Sequence, residues 1–175
     1  MQQPKILILL GTGRENSVTA KLFPAIVKIA QDYGEITVAT ADEHATRLTW
    51  EPSPAKVPWP QLVETSDAIL IVSPEYNRSF PGELKNVLDQ GYKEYKDKVV
   101  GIIGTSDGPF GGARMSEAIK PTLTTLGLII TQRAALFSFA DKIAEKSEQE
   151  QIEEIKDRVT PILEEMVRIY RRFSN

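Results

Sequence analysis

Five short runs along the chain, Lys5–Leu10, Glu35–Thr40, Ala68–Ser73, Lys98–Gly104 and Leu128–Gln132, are rich in Ile, Val and Leu. All but the second are nearly unbroken in apolar character. A strand with one wet face alternates, whereas a strand covered on both faces does not, so these runs predict a parallel sheet sandwiched between helices. Helical patterns fall between and after them, at Ser17–Asp32, Gly82–Tyr95, Ser116–Gly127 and Lys146–Phe173. In the first of these Leu22, Ile26, Val27, Ile29 and Ala30 share one broad face, and Gly34 supplies a stop. The last carries Ile152, Ile155, Val159, Ile162, Leu163, Met166, Val167 and Ile169 at helical spacing, with Glu and Lys opposite. Pro161 lies inside it and predicts a kink or a junction of two helices.

The connection after the second run is different. Residues Asp42–Pro60 contain Pro52, Pro54, Pro58 and Pro60, which predicts a long surface loop followed by a short helical turn around Gln61–Ser66. Strands alternating with helices in this order imply right-handed crossovers. The expected fold is therefore an α/β three-layer sandwich around a five-stranded parallel sheet of order 2-1-3-4-5. Ligands of such sheets sit beyond the carboxyl ends of the strands, where the strand order reverses. The loops after the first, third and fourth strands meet there.

The length of 175 residues suits a single domain over residues 1–175. The chain has no cysteine, which excludes disulfides, thiolate metal sites and a cysteine nucleophile and leaves redox chemistry to a bound cofactor. Lys and Arg number 21 against 24 Asp and Glu, so no basic excess favours nucleic acid. Residues Met1–Pro4 run directly into the first apolar stretch without a cleavage-type region, and no apolar run reaches the ~20 residues of a membrane span. A cytoplasmic protein without a membrane partner is expected.

Each of the three loops admits two readings. Gly11-Thr12-Gly13-Arg14-Glu15-Asn16-Ser17 combines helix-start N–H groups with the Thr12 and Ser17 hydroxyls and the Arg14 guanidinium, an arrangement suited to a phosphate. It lacks the lysine of a Walker loop and the third glycine of a dinucleotide fingerprint. It is equally a tight turn with Asn16 or Ser17 as helix cap. Ser73-Pro74-Glu75-Tyr76-Asn77-Arg78-Ser79-Phe80-Pro81-Gly82 offers the flat surfaces of Tyr76 and Phe80 to a heterocycle, with Asn77 toward its polar edge. It is otherwise a rigid turn with Pro81 opening a helix. In Gly104–Arg114, Gly108, Gly111 and Gly112 permit close backbone approach to a ligand, or simply make a flexible turn.

Together these residues resemble the NADPH-dependent FMN reductases, flavodoxin-like proteins that include chromate, quinone and azo-dye reductases. The likeness runs from Lys5 to about Leu136. It is carried by the first loop, by Pro74-Glu75-Tyr76-Asn77 with Ser79, Pro81-Gly82 and Leu84-Lys85-Asn86, and by Gly108 with Gly111-Gly112. The resemblance implies that Thr12, Arg14, Asn16 and Ser17 hold the FMN phosphate. It implies further that Pro74, Glu75, Tyr76 and Asn77 flank the isoalloxazine ring, and that Ser106, Gly108, Gly111 and Gly112 border it from the other side. NADPH or NADH is the implied donor, with a small-molecule acceptor such as a flavin, quinone, azo compound or metal oxyanion, reached by a ping-pong route without a catalytic acid or base. A homodimer or homotetramer is implied, its contact formed by the helices beginning near Gly82 and Gly112, with Glu83 and Arg114 as a pair across it. Two departures stand out: Thr12 replaces the usual Ser, keeping the hydroxyl, and the Asp42–Pro60 loop lacks the family's acidic motif.

Two rival readings share the fold. One is a flavodoxin-type FMN electron carrier without NAD(P)H activity, although such carriers are commonly far more acidic than the net charge of −3 here. The other is a ligand-free regulatory or scaffold domain. His44 reads as a surface residue, Trp50 and Trp59 as packing for the loop or a cap on the pocket, and Asp67 and Asp89 as lacking the partners a metal needs. Arg78 and Arg114 are candidates to meet a 2′-phosphate.

Overall fold

A computed structural model describes residues 3–14 and 16–173. Five parallel strands, β1 (Lys5–Leu10), β2 (Glu35–Thr40), β3 (Ala68–Pro74), β4 (Val99–Thr105) and β5 (Ile129–Phe137), form one sheet of order β2-β1-β3-β4-β5. The expected order holds. Every residue of β3 and β4 is buried, because helices cover both sheet faces. Ile6, Ile8 and Leu10 of β1 point into the core formed with α1 (Val18–Ala30), α6 (Ala140–Ala144) and α7 (Glu148–Phe173). Leu7 and Leu9 point into the opposite core, with α3 (Trp59–Thr65), α4 (Gly82–Leu88) and α5 (Ala113–Thr125). A period of two thus feeds two cores from one apolar run.

Strand β5 continues five residues past the predicted end at Gln132. Its register against β4 shifts between Val100 and Ile102, and polar Gln132 and Arg133 interrupt the apolar run at that point. The buried carboxylate of Glu165 in α7 accepts the Gln132 and Arg133 backbone N–H groups at 3.2 and 3.4 Å, restoring partners to the bulge. Helix α7 passes through Pro161 as one helix over Glu148–Phe173, so neither a break nor a second helix forms. It presses on β4 at Gly101, where an added Cβ would lie 2.6 Å from Met166 Sδ.

Residues 42–60 depart from a plain surface loop. They open with α2 (Ala41–His44) and close on α3, which begins at Trp59 rather than Gln61. The segment is tied to α4 by side-chain amides: Asn86 accepts the Thr46 N–H and donates to the Thr46 carbonyl, at 2.9 and 3.0 Å, and Gln90 donates to the His44 carbonyl. Trp59 is fully buried and donates to the Tyr95 hydroxyl, which donates in turn to the Leu88 carbonyl at 3.1 Å. Trp50, by contrast, is exposed and caps nothing.

His44 corrects the sequence expectation, for it is only 5% exposed and meets Trp59 edge-on at 5.9 Å. Its Nδ1 has no hydrogen-bond partner, and burial holds its pKa below the ordinary 6.5 against the smaller opposing pull of Glu43 and Asp42. The unfolded chain takes up this proton first as pH falls, so stability should decline below about pH 6.5 and keep declining to the folded-state pKa. Denaturant midpoints measured between about pH 7.5 and 5.5 should show that loss, and it should shrink in His44→Gln. Tyr95→Phe leaves the buried Trp59 N–H without an acceptor and should cost about 1–3 kcal/mol in the same assay at neutral pH.

Candidate functional site

The carboxyl ends of β1, β3 and β4 converge on a cleft of ≈ 170 Å³, bounded by the loops that follow them. Of the predicted site residues, Arg14, Asn16, Ser17, Pro74, Glu75, Tyr76 and Ser106 line it. Three loops far apart in sequence do meet at one place. Its floor comes from α1. Ser17 is the helix N-cap, and its Oγ accepts the Ala20 N–H at 3.0 Å. Val18 and Thr19, the first two helical residues, also line the cleft, in the turn whose N–H groups an α-helix leaves without an internal acceptor. A helix N-terminus with its dipole and the Arg14 guanidinium suit a phosphate monoester. Asn16 turns the chain at this point with a φ of 58°. Glu15 lies outside the described residues.

Thr12 joins two of the loops. Only 1% exposed, it does not line the cleft; its Oγ1 accepts the Arg14 N–H at 3.2 Å and bonds the Tyr76 hydroxyl at 3.1 Å. This ties the first loop to the second. The second is tied to the third by Glu75, whose side chain is 6% exposed. One carboxylate oxygen accepts Arg114 Nε at 2.6 Å and the other accepts the Arg114 backbone N–H, in the first turn of α5, at 3.1 Å. The same guanidinium lies over the Phe110 ring at 4.4 Å. Glu83 instead accepts the Gly13 N–H at 3.3 Å. Within the chain, Glu83 and Arg114 thus take separate partners.

Gly111 and Gly112 are also explained by packing. Both have positive φ, 59° and 85°, and Gly112 caps α5. A Cβ on Gly112 would lie 2.8 Å from Gly104 Cα and from the Thr105 nitrogen; one on Gly111 would lie 2.8 Å from the Ser138 nitrogen. Neither glycine lines the cleft, since close approach to the ends of β4 and β5 demands them there. Gly108 is different: nothing lies within 4 Å of where its Cβ would be, so the turn around it is open on that side. Ser106 donates to the Gly108 carbonyl at 3.1 Å. Asn77 stands beyond the cleft, at the tip of the turn after Tyr76.

Four cleft residues escaped the sequence reading: Val18, Thr19, Thr105 and Asp107. Thr19 and Thr105 join their hydroxyls at 2.6 Å, linking α1 to the end of β4. Their signal was positional, at a helix start and a strand end, rather than chemical. Among the described residues no group of three or more His, Cys, Asp or Glu could hold a metal ion.

A doubly wound sheet with a phosphate-type cleft at its switch point defines a flavodoxin-like α/β protein. Residues 4–142 match the family described as NADPH-dependent FMN reductase, and the chain belongs to it. It is thus a flavin enzyme, with FMN as the flavin and NAD(P)H as the electron donor. A quinone reductase of Pseudomonas putida is 27% identical over 165 residues, covering 81% of this chain and 86% of that one. A 2-hydroxy-1,4-benzoquinone reductase of Burkholderia is 29% identical over 146 residues, covering 76% and 77%. The fold is shared with FerB, a flavoenzyme NAD(P)H:(acceptor) oxidoreductase of Paracoccus denitrificans, at a TM-score of 0.74 and 24% identity over 97% of this chain and 98% of that one.

Replacing Glu75 by Gln should cost about 1–2 kcal/mol, since Arg114 is partly exposed and water offsets much of the lost pairing. Urea unfolding reads that loss. FMN affinity should fall with it, because the Pro74–Tyr76 wall loses its anchor.

Proposed function

We propose that the cleft holds the FMN phosphate and that the flavin ring lies outside it, along Pro74–Asn77 and the open turn at Gly108. The observation that carries this is the first turn of α1, at Val18 and Thr19, lining a cleft that Arg14 and Asn16 also line. Its ≈ 170 Å³ suits a phosphate but is well below the roughly 300 Å³ at which pockets for whole drug-sized ligands begin. The ring then has one face against the protein and one free. Bound FMN supplies the redox chemistry, receiving hydride from the nicotinamide and passing electrons onward singly or in pairs. The chain's part is binding and orientation: Arg14, Asn16 and Ser17 fix the phosphate end, Tyr76 and Asn77 the ring, and amides near Gly108 face the developing negative charge. A single free face implies that donor and acceptor take turns, a ping-pong route.

The quinone reductases among the relatives point to a small quinone-type acceptor. We assign residues 1–175 to one domain. No helix among the described residues is long and apolar enough to cross a membrane, which accords with a cytoplasmic enzyme. A groove of ≈ 470 Å³ between α4 and α5, lined by Lys85, Asp89, Tyr92, Pro121, Thr125 and Leu126, lies on the helices expected to form a dimer contact, and Tyr92 stands exposed there. This reading expects a homodimer or a tetramer built from it.

An anaerobic absorbance titration tests the reading. The chain should bind one FMN and the bound flavin should bleach on adding NADPH or NADH. In Arg14→Ala, FMN affinity should drop about tenfold with the circular dichroism unchanged. A chain that binds no flavin would overturn the site assignment. One that binds FMN yet is reduced by neither nucleotide would be a flavodoxin-type carrier.

A further inference from the structure

The turn that follows Tyr76 carries an unusual residue. Tyr76 and Ser79 exchange both backbone hydrogen bonds, at 2.9 and 2.8 Å, and the two residues between them both have positive φ, 49° at Asn77 and 67° at Arg78. This is the two-residue turn whose preferred sequence is Asn-Gly. Asn77 suits the first position, where a short amide tolerates the left-handed region. Arg78 does not suit the second, where a side chain clashes with its own backbone and glycine would be free of strain. No side-chain contact among the described residues compensates it. Arg78 is exposed, and no described residue pairs with its guanidinium.

Strain held without an internal contact directs attention to an external one. The turn follows directly on Glu75 and Tyr76, which wall the cleft, so Arg78 stands on the ring side of the site rather than at its phosphate end. The other guanidinium groups at this rim are engaged or differently placed. Arg114 is held by Glu75 and stacked on Phe110, which removes one of the two candidates for an anionic donor. Arg14 lines the phosphate cleft itself. A protein of net charge −3 must bring a multiply charged dinucleotide to this rim, and a free cation there offsets the repulsion.

We propose that Arg78 is a specificity-determining residue that binds a phosphate of the nicotinamide donor, an inference that rests on the flavin position proposed above. The phosphate is either the 2′-group present only in NADPH or the pyrophosphate common to NADPH and NADH. In either case the guanidinium offers a charge-assisted fork and takes no part in hydride transfer. The left-handed backbone sets where that fork is presented.

Arg78→Gly and Arg78→Gln, made in the FMN-loaded protein, separate binding from structure. Both should raise KM for NADPH and Kd for NADP+, the latter read by calorimetry, about tenfold, with kcat changed by less than about twofold. Arg78→Gly should in addition raise Tm by about 2–4 °C as the strain is relieved, whereas Arg78→Gln, which keeps the strain, should leave Tm in place. An effect on the NADPH pair alone assigns the 2′-phosphate, and an equal effect on NADH and NAD+ assigns the pyrophosphate. Unchanged KM and Kd in Arg78→Gln would overturn the proposal. The NADP+ calorimetry reads Arg78 even where the flavin is not reduced, so failure of the reductase reading shows separately, as wild-type protein that holds FMN without bleaching.

Discussion

The Glu75 carboxylate sits almost wholly out of water at the end of β3, and a charge so placed requires partners for both oxygens. Arg114 supplies both, one from its guanidinium and one from its backbone N–H at the start of α5. The first turn of a helix has N–H groups with no internal acceptor, so one contact satisfies a buried anion and a helix end together. It also fixes the loop after β3 to the loop after β4. The Thr12 and Tyr76 hydroxyls fix the loop after β1 to the same wall, and the Thr19–Thr105 pair closes the third side. The rim is thereby assembled by the chain's own bonds before any ligand arrives, which lowers the entropic cost of binding.

Below the rim, tight packing holds the strand ends in place. Gly101 admits α7 to the face of β4, and Gly112 lets the start of α5 rest on Gly104 and Thr105. Larger residues at either site would push a helix away from the sheet and carry the loops with it. The same economy explains Asn86, whose amide pairs with Thr46 as a neighbouring strand would, and so disciplines a proline-rich segment that makes few backbone bonds of its own. Among the described residues five other than glycine have left-handed backbone, and three of them, Asn16, Asn77 and Arg78, stand around the site.

The motif from Pro74 to Asn86 is long enough to reveal the family, and the structure adds packing contacts that the motif does not state. Glu75, read as a flank for the flavin ring, also clamps α5 through Arg114. Gly111 and Gly112, read as space for a ligand, also give the strand ends the space they need. Asn86, quoted only as part of the motif, proves to hold the 42–60 segment. Hydroxyls, amides and glycines serve a bound phosphate and a neighbouring loop equally well, and the residue type cannot say which.

What the sequence determined alone is what depends on local periodicity and on connection order: unbroken apolar runs made buried parallel strands, and alternating elements made the order 2-1-3-4-5. That Arg14, Asn16 and Ser17 line one cleft at the start of α1 was legible because they stand side by side in the chain, between a strand end and a helix start. Tertiary structure alone decided the rest. His44 is buried because Trp59, fifteen residues on, folds back over it; β5 runs on past Gln132 because Glu165 satisfies the bulge from another helix; Arg114 belongs to Glu75 because two strand ends adjoin. Each is a pairing between distant segments, and the free energy of a pair is set by burial and distance, which no local pattern contains.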